Sequence, residues 1–256
     1  MPASPPRIMM QRLNQRRDMI IQARHRLAVQ DDPEALHDLR IGLRQLRSLL
    51  RGLSRLSGGK ALLPLSARLG ELASSGNIWR DREVRLDLLT QAALQADTQR
   101  FAAWRRREAK AVAEGRHSVL ELSADIEALL NDIISTAQPS FKAGGKRLVA
   151  TLRQALKQTR TRYRQARKGW KRQPGSDEAA HRVRLLAKRL RYQSELWGDL
   201  LGKRWVARGQ RAKAMQNRLG EARDHALLLE SLARDKIPVP KAALAWLNDY
   251  PHGKSP

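Results

Sequence analysis

Five side chains able to carry positive charge recur at helical intervals in ALHDLRIGLRQLRSLLR, residues 35–51: His37, Arg40, Arg44, Arg47 and Arg51. A guanidinium is a planar fork that grips phosphate or carboxylate oxygens two at a time. Histidine adds a donor whose charge changes near neutral pH. A row of such groups binds anions, and a row several turns long suits an anion whose charge repeats along its length. Cations three or four residues apart repel one another on a helix by a few tenths of a kcal/mol per pair. No glutamate is interleaved in RIGLRQLRSLLRGLSR to relieve that repulsion. Taken alone, the row could equally be a solvated basic face.

The pattern occurs twice. At a shift of 144 residues, AAHRVRLLAKRLRYQSEL (179–196) puts His181 on His37, Arg184 on Arg40, Lys188 on Arg44 and Arg191 on Arg47. The shared form is E-A-x-H-x-φ-R-φ-x-x-[RK]-x-L-R, with φ apolar. At about 100° per residue the four cationic positions fall within about 80° of one another. Leu36, Leu39, Leu43, Leu46 and Leu50 line the neighbouring face. Each copy thus packs with one stripe and displays cations on the next. A second shared element follows: GNIWRDREV carries Arg80 and Asp81, and LGEARDHAL carries Arg223 and Asp224. The two arginines are read as phosphate ligands. The two aspartates are read as helix N-terminal charges or as ion-pair partners that orient a basic neighbour. Before the second copy, Arg153, Lys157, Arg160, Arg164 and Lys168 form one basic stripe, while the segment before His37 scatters its arginines.

These residues must be positioned by helices. Ala, Leu, Arg, Gln and Glu dominate, which are good helix formers, and no segment alternates apolar and polar residues as a strand does. Helix stops are expected at DDP (31–33), SGGK (57–60), SSGN (74–77), AEGR (113–116), QPSFKAGGK (138–146), QPGSD (173–177), LGK (201–203) and IPVPK (237–241). Asp32 and Ser176 are plausible N-caps for the two basic helices. The strongest break, QPSFKAGGK, separates two similar halves. The expectation is an all-α protein of two helical bundles, residues 1–138 and 139–256, rather than a solenoid of short repeats.

Composition narrows the chemistry. Lys plus Arg number 50 against 25 acidic residues, a net charge of +25, which draws polyanions. Aromatics are 4%, too few for stacked single-strand bases. There is no cysteine, hence no disulfide, thiol catalysis or thiolate metal site. No apolar run approaches about 18 residues, and the N-terminus lacks a secretory pattern, so a cytoplasmic location without membrane contact is expected. SGGKA and AGGKR lack the spacing of a phosphate loop. The six histidines form no i, i+4 zinc pair. His225, next to Asp224, could join a cleft; His25, His117 and His252 read as incidental surface residues. No catalytic constellation, metal site or cofactor is expected.

The doubled H-x-x-R-x-x-x-[RK]-x-L-R helix, each copy followed about 40 residues later by an R-D pair, resembles the CHAD family of histidine-bearing α-helical domains from about residue 8 to 250. The resemblance implies two pseudo-symmetric antiparallel bundles of about four helices each, flanking a central basic cleft. It implies binding of inorganic polyphosphate by the His and Arg/Lys ladders, and in some members association with polyhydroxyalkanoate granules; with no catalytic constellation in the chain, the binding is expected to be non-enzymatic. Two departures stand out: Lys188 replaces an arginine, trading a fork for a point charge, and the segment before Arg80 is irregular. Three other readings stay open. One is a basic helical nucleic-acid binder, although no reading module is present. Another is a granule-surface scaffold using Trp197, Trp205 and Trp246, for which core packing is the plainer account. The last is a phosphoanhydride hydrolase, which lacks a visible metal site or general base.

Overall fold

The computed structural model describes residues 3–29, 32, 34–56, 58–96, 101–173 and 175–248, and among these the secondary structure is helical, with no strand. The helices are α1 (Pro5–Val29), α2 (Ala35–Leu53), α3 (Leu62–Ser75), α4 (Asn77–Ala96), α5 (Ala102–Leu122), α6 (Ile126–Ala137), α7 (Gly145–Arg172), α8 (Asp177–Trp197), α9 (Lys203–Arg234) and α10 (Lys241–Asn248). No helix among the described residues is long and apolar enough to cross a membrane.

The element order recurs. A long helix (α1, α7) leads to a basic helix (α2, α8), then a short 3-10 turn, then a long helical stretch. That stretch is continuous in α9 but broken at Gly76 between α3 and α4. Gly76 and Gly220 are repeat equivalents, so the irregularity before Arg80 is a helix break in one half where the other runs straight through. Gly144 and Gly202, at φ 84° and 105°, end 3-10 turns and launch α7 and α9, a backbone region that strains any other residue.

Leucine periodicity built α2, the most deeply embedded helix. Leu36, Leu39, Leu46, Leu49, Leu50 and Leu53 on it are all fully buried. They share one core with Leu13 and Ile20 of α1, Leu129 and Ile133 of α6, Leu148, Leu152 and Leu156 of α7 and Trp197 of α8. The principal core therefore continues across residue 138. A second cluster joins Leu89 of α4 and Phe101 and Trp104 at the start of α5 to Leu228 and Leu232 of α9 and Leu247 of α10. Polar ties also bridge distant segments. Arg12 donates to the Leu196 carbonyl at 2.6 Å and pairs with Asp199. The Trp104 indole donates to Asp235 at 2.8 Å.

Ser176 caps α8 as expected, its Oγ accepting the Ala179 N–H at 3.2 Å. Asp32 is not the expected N-cap: Glu34 holds that position, α2 begins at Ala35, and the Asp32 side chain, two residues before the cap, accepts the Glu34 N–H at 2.9 Å. The expected stop at AEGR is corrected. Helix α5 runs unbroken from Ala102 to Leu122. Gly115 is buried there because the Trp79 indole of α4 packs against its Cα, leaving no room for a Cβ. The chain turns instead at Ser123–Asp125, a step without glycine or proline. The tryptophans serve packing: Trp197 and Trp205 are buried in the main core, and Trp246 packs on the second cluster.

Candidate functional site

The two basic helices cross in contact. On α2, Arg40 is buried, only 6% exposed, and Arg44 is half-buried. Burying two guanidiniums requires acceptors. One Asn77 Oδ1, at the start of α4, serves both, accepting from Arg40 at 2.5 Å and from Arg44 at 2.7 Å. The backbone leaves space for these side chains. An added Cβ on Gly76 would lie 3.2 Å from Arg40 Cδ, and one on Gly220 would lie 3.5 Å from Arg184 Nε. The repeat-equivalent glycines thus flank the repeat-equivalent arginines. Gly70 of α3 does the same for the Arg47 guanidinium, which lies directly over it.

Electrostatic coupling reports which charges meet. Burial, then the charges of Arg44, Arg184, Arg40 and Arg191, hold the Lys188 amine down to about 6. Burial, then Arg44, brings Arg40 down to about 10. Burial chiefly lowers Arg44 as well, and Arg184 adds to it. Cations of the two copies therefore sit together, and the repeat-equivalent pair Arg44 and Lys188 face one another across the crossing. Asp81 and Asp224, also repeat equivalents, act on one another electrostatically. Burial pushes the Asp224 carboxyl up, Arg184 opposes this and Asp81 adds to it. Asp224 lies deep within α9, so the reading as an N-terminal helix charge does not fit it. Among the described residues neither aspartate has a cation within ion-pair distance.

Each histidine stands beside its own copy's R-D arginine. Burial, then the Arg80 charge, lowers His37. Burial, then Arg223 and Arg184, lowers His181. In the second half, His181, Arg184 and Arg223 line a cavity of about 260 Å³ between the start of α8 and the middle of α9, with Ser176 and Trp170 at its other wall. Two expected ligands are already partnered. Arg80 pairs with buried Glu83 at 3.0 Å. Arg191 pairs with Glu195 at 2.7 Å and lies 5.4 Å from the Tyr192 ring centre. Arg51 is exposed beyond Arg47, and burial followed by Arg47 and Arg189 lowers it.

The stripe on α7 does not converge on this cluster as one surface. Arg153 and Lys157 are exposed, and Arg160 and Arg164 line a separate groove between α7 and α9. His225 turns away from the cluster into the second core: its Nδ1 lies 3.1 Å from the Leu247 carbonyl and its ring stacks 5.3 Å from Trp246. It ties α10 to α9. His117 is exposed beside Glu121 at 3.3 Å, His25 is exposed, and His252 lies outside the described residues. The sequence reading missed Asn77 and Tyr192. Asn77 carried the signal of a helix start next to a glycine; Tyr192 follows Arg191 directly, and Lys188 lies 6.0 Å from its ring centre.

Among the described residues no three His, Cys, Asp or Glu side chains converge to hold a metal. The arrangement concentrates positive charge with few acids in direct contact, which suits binding of an anion.

Comparison with known proteins bears on the lineage. The crystal structure of the CHAD domain from the plant Ricinus communis matches with a TM-score of 0.73 at 21% identity, over 97% of this chain and 85% of that one. No curated protein matches the sequence. A family model described as the CHAD domain matches residues 12–233. With its doubled histidine-led helices and all-α architecture, the chain belongs to the CHAD domain family.

Proposed function

We propose that this protein binds inorganic polyphosphate without turning it over, holding a linear phosphate chain along the cations gathered where α2 and α8 cross. One observation carries the reading. Arg40, Arg44, Arg184 and Lys188 lie together, and none of the four has a carboxylate within ion-pair distance among the described residues. A buried group of like charges is unfavourable unless an anion normally completes it. A polymer of phosphates supplies many oxygens in a row, matched to guanidinium forks. His37, His181, Arg47, Arg191 and the R-D arginines extend the track toward both ends. Displacement of counterions from the polyanion drives binding, as it does for nucleic acids.

Titration with polyphosphate at low and moderate salt tests this. Affinity should fall steeply as salt rises, and replacing Arg40, Arg44 and Arg184 by alanine should weaken binding by at least tenfold for each. A lost hydrogen bond to a charged group is worth about 1.5–3 kcal/mol, and about 1.4 kcal/mol is tenfold. Exposed Arg106 and Arg147 serve as controls; Arg107 does not, because it pairs with Asp235. Equal losses in both sets would mean diffuse charge rather than a site. Displacement of polyphosphate by duplex DNA or RNA at equal phosphate concentration would favour the nucleic-acid reading instead. Phosphate release over time with divalent metal present would overturn the non-enzymatic part. The expected location is the cytoplasm, with recruitment to polyphosphate or polyhydroxyalkanoate granules followed by imaging.

A further inference from the structure

Helix α8 separates two basic surfaces. Its ladder residues Arg184, Lys188 and Arg191 share one side, and Leu190 projects roughly 125° around the helix from them at 100° per residue. On that other side α7 and α9 flank α8, leaving a groove of about 450 Å³ floored by Leu190 and Met215. Its rims are arginines: Arg160, Arg164 and Arg167 on α7, and Arg208, Arg211 and Arg218 on α9. No acidic residue lines it. Among the described residues none of the six has a carboxylate within ion-pair distance. The Nε atoms of Arg167 and Arg218 are buried without a hydrogen-bond partner. At 1.5 Å per residue, the α7 row spans about 10 Å and the α9 row about 15 Å.

We propose that this α7–α9 groove is a second phosphate-chain site, separate from the central cluster, so that one molecule holds two segments of polyphosphate. The proposal rests on the polyphosphate reading above and adds a place to it. Three features select a phosphate chain. Donors stand on both rims, so a ligand between them is gripped from two sides. The rows run for about two turns on α7 and about three on α9, which a single small anion would leave mostly unmatched. The rims are arginine throughout, whose forks suit paired phosphate oxygens. Two tracks per molecule also let one protein bridge two polymer strands.

The test is the stoichiometry of sodium tripolyphosphate by calorimetry, together with the turbidity of mixtures with long-chain polyphosphate. Two variants are compared with the wild type: Arg160→Ala/Arg164→Ala/Arg211→Ala in the groove, and Arg44→Ala/Lys188→Ala in the centre. The groove variant changes exposed or half-buried side chains, and circular dichroism verifies its fold. A lysine version of the groove variant restores charge without the fork. The expected result is two equivalents for the wild type and one for each variant, with cross-linking turbidity lost in both and only partial rescue by lysine. A groove variant that keeps two equivalents overturns the second site and leaves the central one standing. A wild type that binds one equivalent, lost only in the central variant, does the same. Absence of phosphate binding to the wild type refutes the central reading as well. Should poly-glutamate, and not tripolyphosphate, saturate the groove, its ligand is an acidic protein and the proposal fails.

Discussion

Lys188 occupies the position that Arg44 holds in the first copy, and the two meet across the helix crossing. An arginine there would stay charged under all ordinary conditions. A lysine under the same burial and the same neighbouring cations is held down to about 6, so it is largely neutral at pH 7.5. An anion arriving among these cations favours the charged form and raises that value. Binding of polyphosphate at pH 7.5 should therefore take up close to one proton, read as a slope when calorimetric enthalpies are plotted against buffer ionisation enthalpy. Lys188→Met should abolish the uptake; a slope unchanged in that variant would remove Lys188 from the account. The sign for stability follows from the same shift. Between about 6 and the ordinary 10.5, the unfolded chain holds a proton here that the folded chain lacks. This group's destabilising effect is thus complete below pH 6 and is relieved as pH rises through that window. Lys188→Met should raise the ligand-free melting temperature at pH 6. His37 and His181 are likewise lowered by burial and by the neighbouring arginines, so their charges join the site only on acidification, and affinity should rise as pH falls below the ordinary histidine range. The cations themselves were legible in the sequence because their spacing repeats. Asn77 was not, since an asparagine beside a glycine reads as a turn former whether or not two guanidiniums converge on it.

Helix boundaries separate what local chemistry dictates from what packing decides. Ser176 caps a helix start in the structure as in the sequence reading, and Gly202 falls at an expected break, because capping and positive-φ backbone are local needs. Gly115 is different: the residue type says stop, but the Trp79 indole across the α4–α5 interface makes it a contact. The two readings predict opposite signs for Gly115→Ala. If the glycine only weakened the helix, alanine would add about 1 kcal/mol of helix propensity. Because the indole occupies the space a Cβ needs, alanine should instead cost about 1–3 kcal/mol from overpacking, lowering the melting temperature by several degrees at about 2–4 °C per kcal/mol. Trp79→Leu in the same chain should recover part of the loss, and a stabilised single variant would refute the packing role. The turn at Ser123–Asp125 escaped notice for the converse reason: it lacks residues that force a break, and its position is set by where α5 and α6 meet the core.

At the scale of the whole molecule, the pairing of distant helices was the least legible feature. Periodicity identifies which face of a helix is apolar, but not that the face of α4 meets α9 and α10 more than 130 residues away, as in the cluster of Leu89, Phe101, Leu228 and Leu247. The net charge of +25, by contrast, is plain from composition, and it has a consequence for the folded chain with and without ligand. Without a polyanion, self-repulsion destabilises the compact state. Salt screens it, the Debye length shrinking from about 10 Å at 0.1 M to about 3 Å at 1 M. Added salt should then raise the melting temperature of the ligand-free protein. Polyphosphate at about a hundredfold excess over its dissociation constant should stabilise by about 2.7 kcal/mol, or about 5–11 °C at 2–4 °C per kcal/mol. In that complex, added salt competes with the ligand's contacts, so the melting temperature should fall. The two curves, measured by thermal denaturation against salt concentration, should slope in opposite directions and converge where binding is lost. A central variant such as Arg44→Ala/Lys188→Ala should show a smaller gap between them at low salt. Parallel curves of the same sign would mean that the charge excess serves something other than a bound polyanion.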